Sequence, residues 1–362
     1  MLKLNLLALK KIKHMIAAKG YAVHSQTDKL APWNFERRNV GPKDVLIEIL
    51  FSGICHSDIH QVRSEWGPAR YPMVPGHEIV GRITEVGAEV SKFKVGDLAG
   101  IGCMVDSCKE CPTCKGGQQQ FCEKGETVWT YNSVERDKTT PTYGGYSNKI
   151  VCTEEFVAHV SDKLPLAGVA PLLCAGITTY SPIKRWGITK GHQVAILGLG
   201  GLGHMAVKFA VAFGAEVTVL STSPSKEADA RKLGAHNFVV TKDAEQLAQY
   251  TKHFDFIIDS VSAPHNYEMY FKLLKVNGVH ICVGLPAEPI KFPGSALMHG
   301  NRALTASSIG GIEETQEMLD FCAAHDIVSE VEVININYVN EAYERVLNSD
   351  VKYRFVIDMD TL

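Results

Sequence analysis

Four cysteines, Cys108, Cys111, Cys114 and Cys122, stand in a C-x2-C-x2-C-x7-C run. That spacing suits four thiolates closing a tetrahedral zinc site, and packing alone rarely requires it. Between them lie Lys109, Glu110, Pro112, Thr113, Lys115, Gly116, Gly117 and Gln118 to Gln120, which offer no apolar face. Ordering about fifteen such residues costs about 15–30 kcal/mol, comparable with the ~10–16 kcal/mol of a structural zinc plus local turn contacts. An iron–sulfur cluster is the competing use of four cysteines, but nothing else in the chain points to electron transfer. A second set is dispersed: Cys55 in G-I-C-H-S-D, His77 in P-G-H-E and Cys174 in L-L-C-A-G. Two thiolates and one imidazole leave one position of a zinc ion open, as a catalytic site requires. Singly, a buried cysteine or histidine is more often a packing residue. Only their joint occurrence beside a nucleotide motif argues for ligands.

That motif is Gly198-Leu199-Gly200-Gly201-Leu202-Gly203, preceded by the apolar run Val194 to Leu197 and followed by a helical pattern from His204 to Ala210. Gly198 permits the tight turn and Gly200 lets the backbone approach a pyrophosphate. Gly203 lets helix and strand pack closely, and the N–H groups of the helix start face the anion. The next strand should end in an acid if the ligand is NAD. Here it ends in Ser221-Thr222-Ser223-Pro224-Ser225-Lys226. Hydroxyl donors and a cation suit a 2′-phosphate, so the turn favours NADP. The alternative is that these residues cap a helix from Ser225 and that Lys226 is a solvated charge.

These groups need a scaffold of two domains, since 362 residues exceed the roughly 250–300 at which a single core stops growing. From Asp44 to Gly102, short apolar runs with close glycine punctuation predict a β-rich domain with few helices. Beyond Leu164 the period changes. Runs at Val194 to Leu197, Val217 to Leu220, Phe238 to Val240, Phe256 to Asp259, Val279 to Val283 and Leu304 to Ser308 alternate with helical segments. Six such strands predict a parallel, doubly wound sheet. A helix follows over 311–325, and the tail is free to return to the first domain. The net charge of -3 gives no footprint for nucleic acid, and there is no apolar run of about 18 residues to span a membrane. Ten cysteines in so large a chain suggest metal chemistry and a reducing cytoplasm rather than a disulfide framework. The basic, leucine-containing stretch 1–14 reads as a leader before Met15 or as a targeting helix. Alternation begins only at Tyr21-Ala22-Val23.

From about Tyr21 onward the sequence resembles the zinc-containing medium-chain alcohol dehydrogenases, in particular their cinnamyl-alcohol-dehydrogenase-like group. The resemblance rests on Gly53 to His60, Val74 to Glu78, Val95-Gly96-Asp97, the four-cysteine lobe, Trp129 to Asn132, Gly144 to Ser147, Leu197 to Gly203 and Ser307 to Gly311. It implies a GroES-like catalytic domain over 15–164 with its zinc lobe at 103–122, a Rossmann domain over 165–308, and a C-terminal segment 309–362 returning to the catalytic domain. It further implies two zinc ions per chain, a homodimer, and hydride transfer between NADP(H) and a small alcohol or aldehyde. In such enzymes Ser57 and His60 would form a proton relay, with an N-cap and a surface histidine as the plain alternatives. Asp58 would orient His77, and Glu78 would act as a transient fourth ligand, although a buried charge with a conformational partner reads identically. Arg354 would approach the pyrophosphate or form a surface salt bridge. A catalytically silent zinc and NADPH-binding relative is the competing function. It would be expected to have lost Cys55, His77, Cys174 or the relay, and none is missing.

Overall fold

The computed structural model describes residues 15–286 and 288–362, so the stretch 1–14 lies outside the described residues. The first strand, Ile16–Ala22, pairs antiparallel with Ala31–Arg37 and begins before Tyr21. Its inward residues are Ala18, Gly20 and Ala22, too small to register as an apolar alternation. Gly20 is required there, because a Cβ would stand 2.5 Å from the Tyr146 carbonyl oxygen.

A seven-stranded sheet is built around Asp44–Gly53, the longest strand of the first domain. On one side it pairs with Ile79–Val86, which continues to Leu98–Ile101 and Ala158–His159. On the other, Lys149–Thr153 covers its start, and the C-terminal strand Arg354–Asp358 pairs with its end, Val356 opposite Gly53. The tail therefore closes the sheet at the residue where the chain turns toward Cys55. Helix is sparse up to Gly102, with His56–Val62 the only α-helix among the described residues there.

The second sheet has six strands, all parallel. Their order is Asn237–Val240, Glu216–Ser221, Gln193–Leu197, Phe254–Asp259, Leu274–Cys282, Ala303–Ala306. The direction of winding reverses between Gln193–Leu197 and Phe254–Asp259, and such switch points hold the ligand crevice outside the carboxyl ends of the strands. This is the α/β doubly wound architecture with a second, β-rich domain that the sequence predicts. Val194, Ala195, Ile196, Ile257 and Ile258 are fully buried, as strands covered by helices on both faces must be. No single described helix is long and apolar enough to cross a membrane.

Candidate active site

Cys55 leaves the end of strand Asp44–Gly53 and stands at the N-cap of helix His56–Val62. His77 follows Gly76, whose φ of 103° and crowding by Tyr146 and Gly145 exclude a side chain. Cys174 sits at the break between the 3-10 turn Ala170–Leu173 and helix Ala175–Arg185. Three separate segments thus bring Cys55, His77, Glu78 and Cys174 together, all buried, with their ligand atoms within 4.8 Å of one another. The thiols of Cys55 and Cys174 are 4.0 Å apart. Two thiolates about 2.3 Å from one ion at the tetrahedral angle would lie about 3.8 Å apart, against about 2.0 Å in a disulfide. The spacing fits a shared zinc ion.

The surrounding charges fit one too. Contact with Cys174, together with Arg354 and His77, holds Cys55 well below the ordinary thiol range. Burial would keep His77 neutral, yet Asp58 and Cys103 pull it well above its usual value. A buried cluster with this bias favours a positive charge among its donors. The Asp58 carboxylate accepts from the backbone N–H groups of Cys55 at 2.9 Å and Gly76 at 3.1 Å and from the Tyr146 hydroxyl at 3.2 Å. Its Oδ1 also lies 3.1 Å from His77 Nδ1, which leaves Nε2 as the free ligand nitrogen.

Glu78 is fully buried, and burial pushes its carboxyl up to about 7 against the pull of Arg354. One oxygen is bound by the Arg354 guanidinium, and the other has no hydrogen-bond partner among the described residues. Arg354 is itself only 6% exposed, so it is not a surface ion pair. Its guanidinium also lies 2.9 Å from the position a Cβ on Gly201 would take. This one side chain touches both the metal-ligand cluster and the glycine turn.

Ser57 lies at the rim of the cluster with its hydroxyl 3.5 Å from Cys55 Sγ, and it does not cap the helix, because Cys55 holds that position. His60 is half-exposed, pairs through Nδ1 with Glu65 and stacks against His56 and Trp66. Among the described residues no hydrogen bond joins Ser57 to His60.

The four lobe cysteines also converge within 4.8 Å, with Cys108 and Cys114 Sγ 3.7 Å apart. Backbone N–H groups of Cys111 and Cys114 point at the sulfurs of Cys108 and Cys111, at 3.3 and 3.4 Å. The thiolate charge is thereby partly met before any ion is added, and the apolar surroundings of the lobe are little more than the cysteines themselves.

Strand Gln193–Leu197 leads into the turn Gly198 to Leu202, and helix Gly203–Ala212 leaves it. Gly198 has φ 88°. A Cβ on Gly203 would stand 2.2 Å from the Gly198 carbonyl oxygen, whereas nothing lies within 4 Å of one on Gly200. Ser221 ends strand Glu216–Ser221, buried, with its hydroxyl accepting from the Ser223 N–H at 3.2 Å. Thr222 is exposed, Ser223 faces Ser225 at 3.0 Å, and Lys226 Nζ donates to the Leu199 carbonyl at 2.9 Å. Lys226 is therefore folded over the glycine turn rather than solvated.

The sequence reading assigns no role to Cys103, which together with Cys55 and burial raises the Cys174 thiol well above its ordinary range, or to Tyr131, whose ring lies over His77 at 5.8 Å. Tyr131 belongs to the Trp129 to Asn132 segment of the resemblance, and that is the signal that marks it. His204 is fully buried under the glycine turn, between the Gly200 carbonyl and the Ser329 hydroxyl.

A dinucleotide crevice beside an open zinc-ligand set defines a zinc-dependent dehydrogenase. Residues 41–162 match the alcohol dehydrogenase GroES-like domain and residues 201–324 the zinc-binding dehydrogenase domain. The chain is 53% identical over 348 residues to NADP-dependent alcohol dehydrogenase C 1 of Mycolicibacterium smegmatis, covering 96% of this chain and 99% of that protein. Among solved structures it is similar to cinnamyl alcohol dehydrogenase SbCAD4 from Sorghum bicolor, with a TM-score of 0.92 and 44% identity over 95% of this chain and 98% of that one. The cinnamyl alcohol dehydrogenase of Helicobacter pylori complexed with NADP(H) gives a TM-score of 0.89 and 46% identity, covering 96% and 99%. The chain belongs to the zinc-dependent medium-chain alcohol dehydrogenases, in the cinnamyl-alcohol-dehydrogenase-like group, and is an oxidoreductase acting on alcohols and aldehydes.

Proposed function

We propose that the chain reduces aldehydes to primary alcohols with NADPH, and runs the reverse reaction with NADP, on aromatic or cinnamyl-type substrates. Cys55, His77 and Cys174 would hold the catalytic zinc, and Cys108, Cys111, Cys114 and Cys122 the structural one. The observation that carries this reading is the convergence of Cys55, His77, Glu78 and Cys174 within 4.8 Å, joined through Arg354 to the glycine turn. When bound, zinc supplies a Lewis acid for the substrate oxygen and the nicotinamide gives or takes the hydride.

The chain's own residues do the rest. Asp58 fixes the ring of His77. Ser57, at the rim, is placed to hydrogen-bond a substrate oxygen, and His60, facing Glu65 and solvent, exchanges the proton that reduction consumes. Because no hydrogen bond joins Ser57 to His60 among the described residues, the path between them needs a bridging hydroxyl, which the ribose of a bound dinucleotide would supply. Glu78, pulled by Arg354 and with one oxygen unpartnered among the described residues, stands within the donor cluster, where it would serve as a transient fourth ligand during product exchange. Gly198, Gly200, Gly201, Leu202 and Gly203 cradle the pyrophosphate, and Ser221, Thr222, Ser223 and Lys226 take the 2′-phosphate.

The edge strand Ala303–Ala306, with exposed Leu285 and Met298 nearby in sequence, supports a homodimer built on that edge. Free thiolate ligands support a cytoplasmic setting. A silent relative is disfavoured, since every ligand and both relay residues are present. The test is zinc content with kcat/KM for benzylic, cinnamyl and straight-chain aldehydes, using NADPH and NADH. Two zinc ions per chain and NADPH-dependent turnover are expected, and inactivity of a zinc-replete chain on the whole panel refutes the reading.

A further inference from the structure

The carboxyl end of strand Phe254–Asp259 holds a buried polar cluster that neither ligand set nor the glycine turn uses. Asp259 is 1% exposed. Its Oδ1 accepts from the Val261 N–H at 3.0 Å, and its Oδ2 faces Nε2 of His265 and Nε2 of His280, each at 3.0 Å. The other nitrogen of His265, Nδ1, lies 2.9 Å from the Ala263 carbonyl oxygen. A carbonyl only accepts, and so does a carboxylate, so both nitrogens of His265 carry protons and the ring is an imidazolium. His280 differs: its Nδ1 is buried without a hydrogen-bond partner among the described residues. His265 and Asp259 therefore set one positive against one negative charge. Asp259, His280 and Cys282 present donor atoms within 4.8 Å of one another, but the hydrogen bonds above already satisfy Asp259 without an ion.

The cluster sits at the switch point of the sheet. The Ser260 hydroxyl donates to the Leu197 carbonyl at 2.9 Å, and both Ser260 Oγ and Val261 Cγ2 lie 2.9 Å from where a Cβ on Gly198 would stand. Ser260 and Val261, at the start of the segment that His265 ends, thus pack on the first glycine of the dinucleotide turn. We infer that the His265–Asp259 ion pair is a positioning device that pins residues 260–266 as one wall of the crevice, so that loss of the His265 proton weakens dinucleotide binding. This rests on the dinucleotide reading proposed above.

The sign follows from the surroundings. Burial opposes charge on His265, but Asp259 and the Ala263 carbonyl overcome it and raise the imidazole above its ordinary range. Burial would likewise raise Asp259, yet His265 and His280 hold it below the usual carboxyl range. The ion pair is therefore complete below the ordinary imidazole value and is lost as pH rises through the raised one. The other titratable groups packed here are Tyr267, stacked on His265 at 4.2 Å, Tyr270 at 5.7 Å, and Cys282 beside Tyr267. Burial raises both tyrosines and pushes Cys282 up to about 12, so all three stay neutral through that window.

The experiment measures Kd for NADPH and NADH by reduced-nicotinamide fluorescence from pH 7 to 10, on the zinc-replete wild type and His265→Gln. The 2′-phosphate, with its second pKa near 6, is already ionised there. Wild-type Kd should be level and then rise about tenfold for each unit by which binding raises the histidine pKa, equally for both dinucleotides. His265→Gln should bind weakly at every pH, with no such rise. Histidine nitrogen resonances at pH 7.5 should include one doubly protonated ring that the variant lacks. A level wild-type Kd for both dinucleotides overturns the proposal, as does a rise seen with NADPH alone, which would belong to Lys226. A neutral His265, or a third zinc lost with His265→Gln, also overturns it. The wild-type arms decide even if the variant does not fold. Failure of both dinucleotides to bind at any pH refutes instead the function proposed above.

Discussion

Two glycines of the same turn should fail in opposite ways when each is replaced by alanine. In Gly203→Ala the new methyl would stand 2.2 Å from the Gly198 carbonyl oxygen and 2.9 Å from its carbon, both backbone atoms. An ordinary contact is about 3.4 Å, so helix Gly203–Ala212 and the turn must part by about 1 Å in a region where Val194, Met205 and Ala206 are fully buried. Overpacking of this kind costs about 1–3 kcal/mol, a fall of roughly 2–12 °C in Tm at about 2–4 °C per kcal/mol. In Gly200→Ala nothing lies within 4 Å of the new methyl, so the unliganded Tm should move by no more than about 0.5 kcal/mol allows, roughly 2 °C. The methyl instead occupies the space a pyrophosphate must enter. NADPH at about a hundred times its Kd should stabilise the parent by about 2.7 kcal/mol, and a tenfold weaker Kd removes about half of that. Thermal scans with and without NADPH separate the two effects. The reasoning is refuted if Gly203→Ala melts with the parent, or if Gly200→Ala keeps the full NADPH-induced shift.

Cys174→Ala should lose one of two zinc ions together with turnover, measured by metal analysis and aldehyde reduction; full activity in that variant removes Cys174 from the ligand set. Cys111→Ser should lower soluble yield and Tm more than it lowers kcat of the protein that folds, and unchanged stability would deny the lobe a structural ion. Arg354→Met leaves Glu78 buried and unpaired, a loss of about 3–5 kcal/mol by denaturant unfolding; parental stability would mean the pair contributes nothing. Lys226→Ala should raise KM for NADPH about tenfold and spare NADH, because the ammonium exchanges the Leu199 carbonyl for a phosphate and only the difference, about 1.5 kcal/mol, is lost. Ser221→Asp should shift preference toward NADH by repelling the phosphate, and an unchanged NADPH to NADH ratio in both variants refutes the assignment of this turn.

The parallel sheet was legible because each strand is a short apolar run closed by turn residues. Phe256 to Asp259 reads directly from the sequence, and only the first two residues of strand Phe254–Asp259 escape it, because the charged Asp255 interrupts the apolar run. Strand Ile16–Ala22 shows no apolar alternation before Tyr21 because its inward side chains are nearly absent. Cys55, His77 and Cys174, which converge in the structure, are legible because each lies in a short motif and the three occur together beside a dinucleotide turn. Glu78 and Arg354 were harder. They are 276 residues apart, and the last strand places Arg354 at the cluster through its register with Gly53, which no local period encodes. Cys103 and Tyr131 face the cluster for the same reason: the sheet and the loop return them there.

Charge is the property furthest from the sequence, and two histidines make the point. His204 and His265 are the same residue type, each within a few residues of a strand end of one sheet. His204 places Nδ1 against the Gly200 carbonyl and Nε2 against the Ser329 hydroxyl. A hydroxyl can donate, so one ring proton satisfies both contacts, and burial drives the group down to about 3. His265 meets a carbonyl and a carboxylate, neither of which donates, so it needs two ring protons and gains a counter-charge that supports them. The difference between a neutral strut and a cation beside the crevice is thus whether one partner is Ser329 or Asp259, 125 residues away in the first case and 6 in the second. An acid six residues before a histidine carries no sign of such contact until the loop that follows the strand brings the ring back over the strand end.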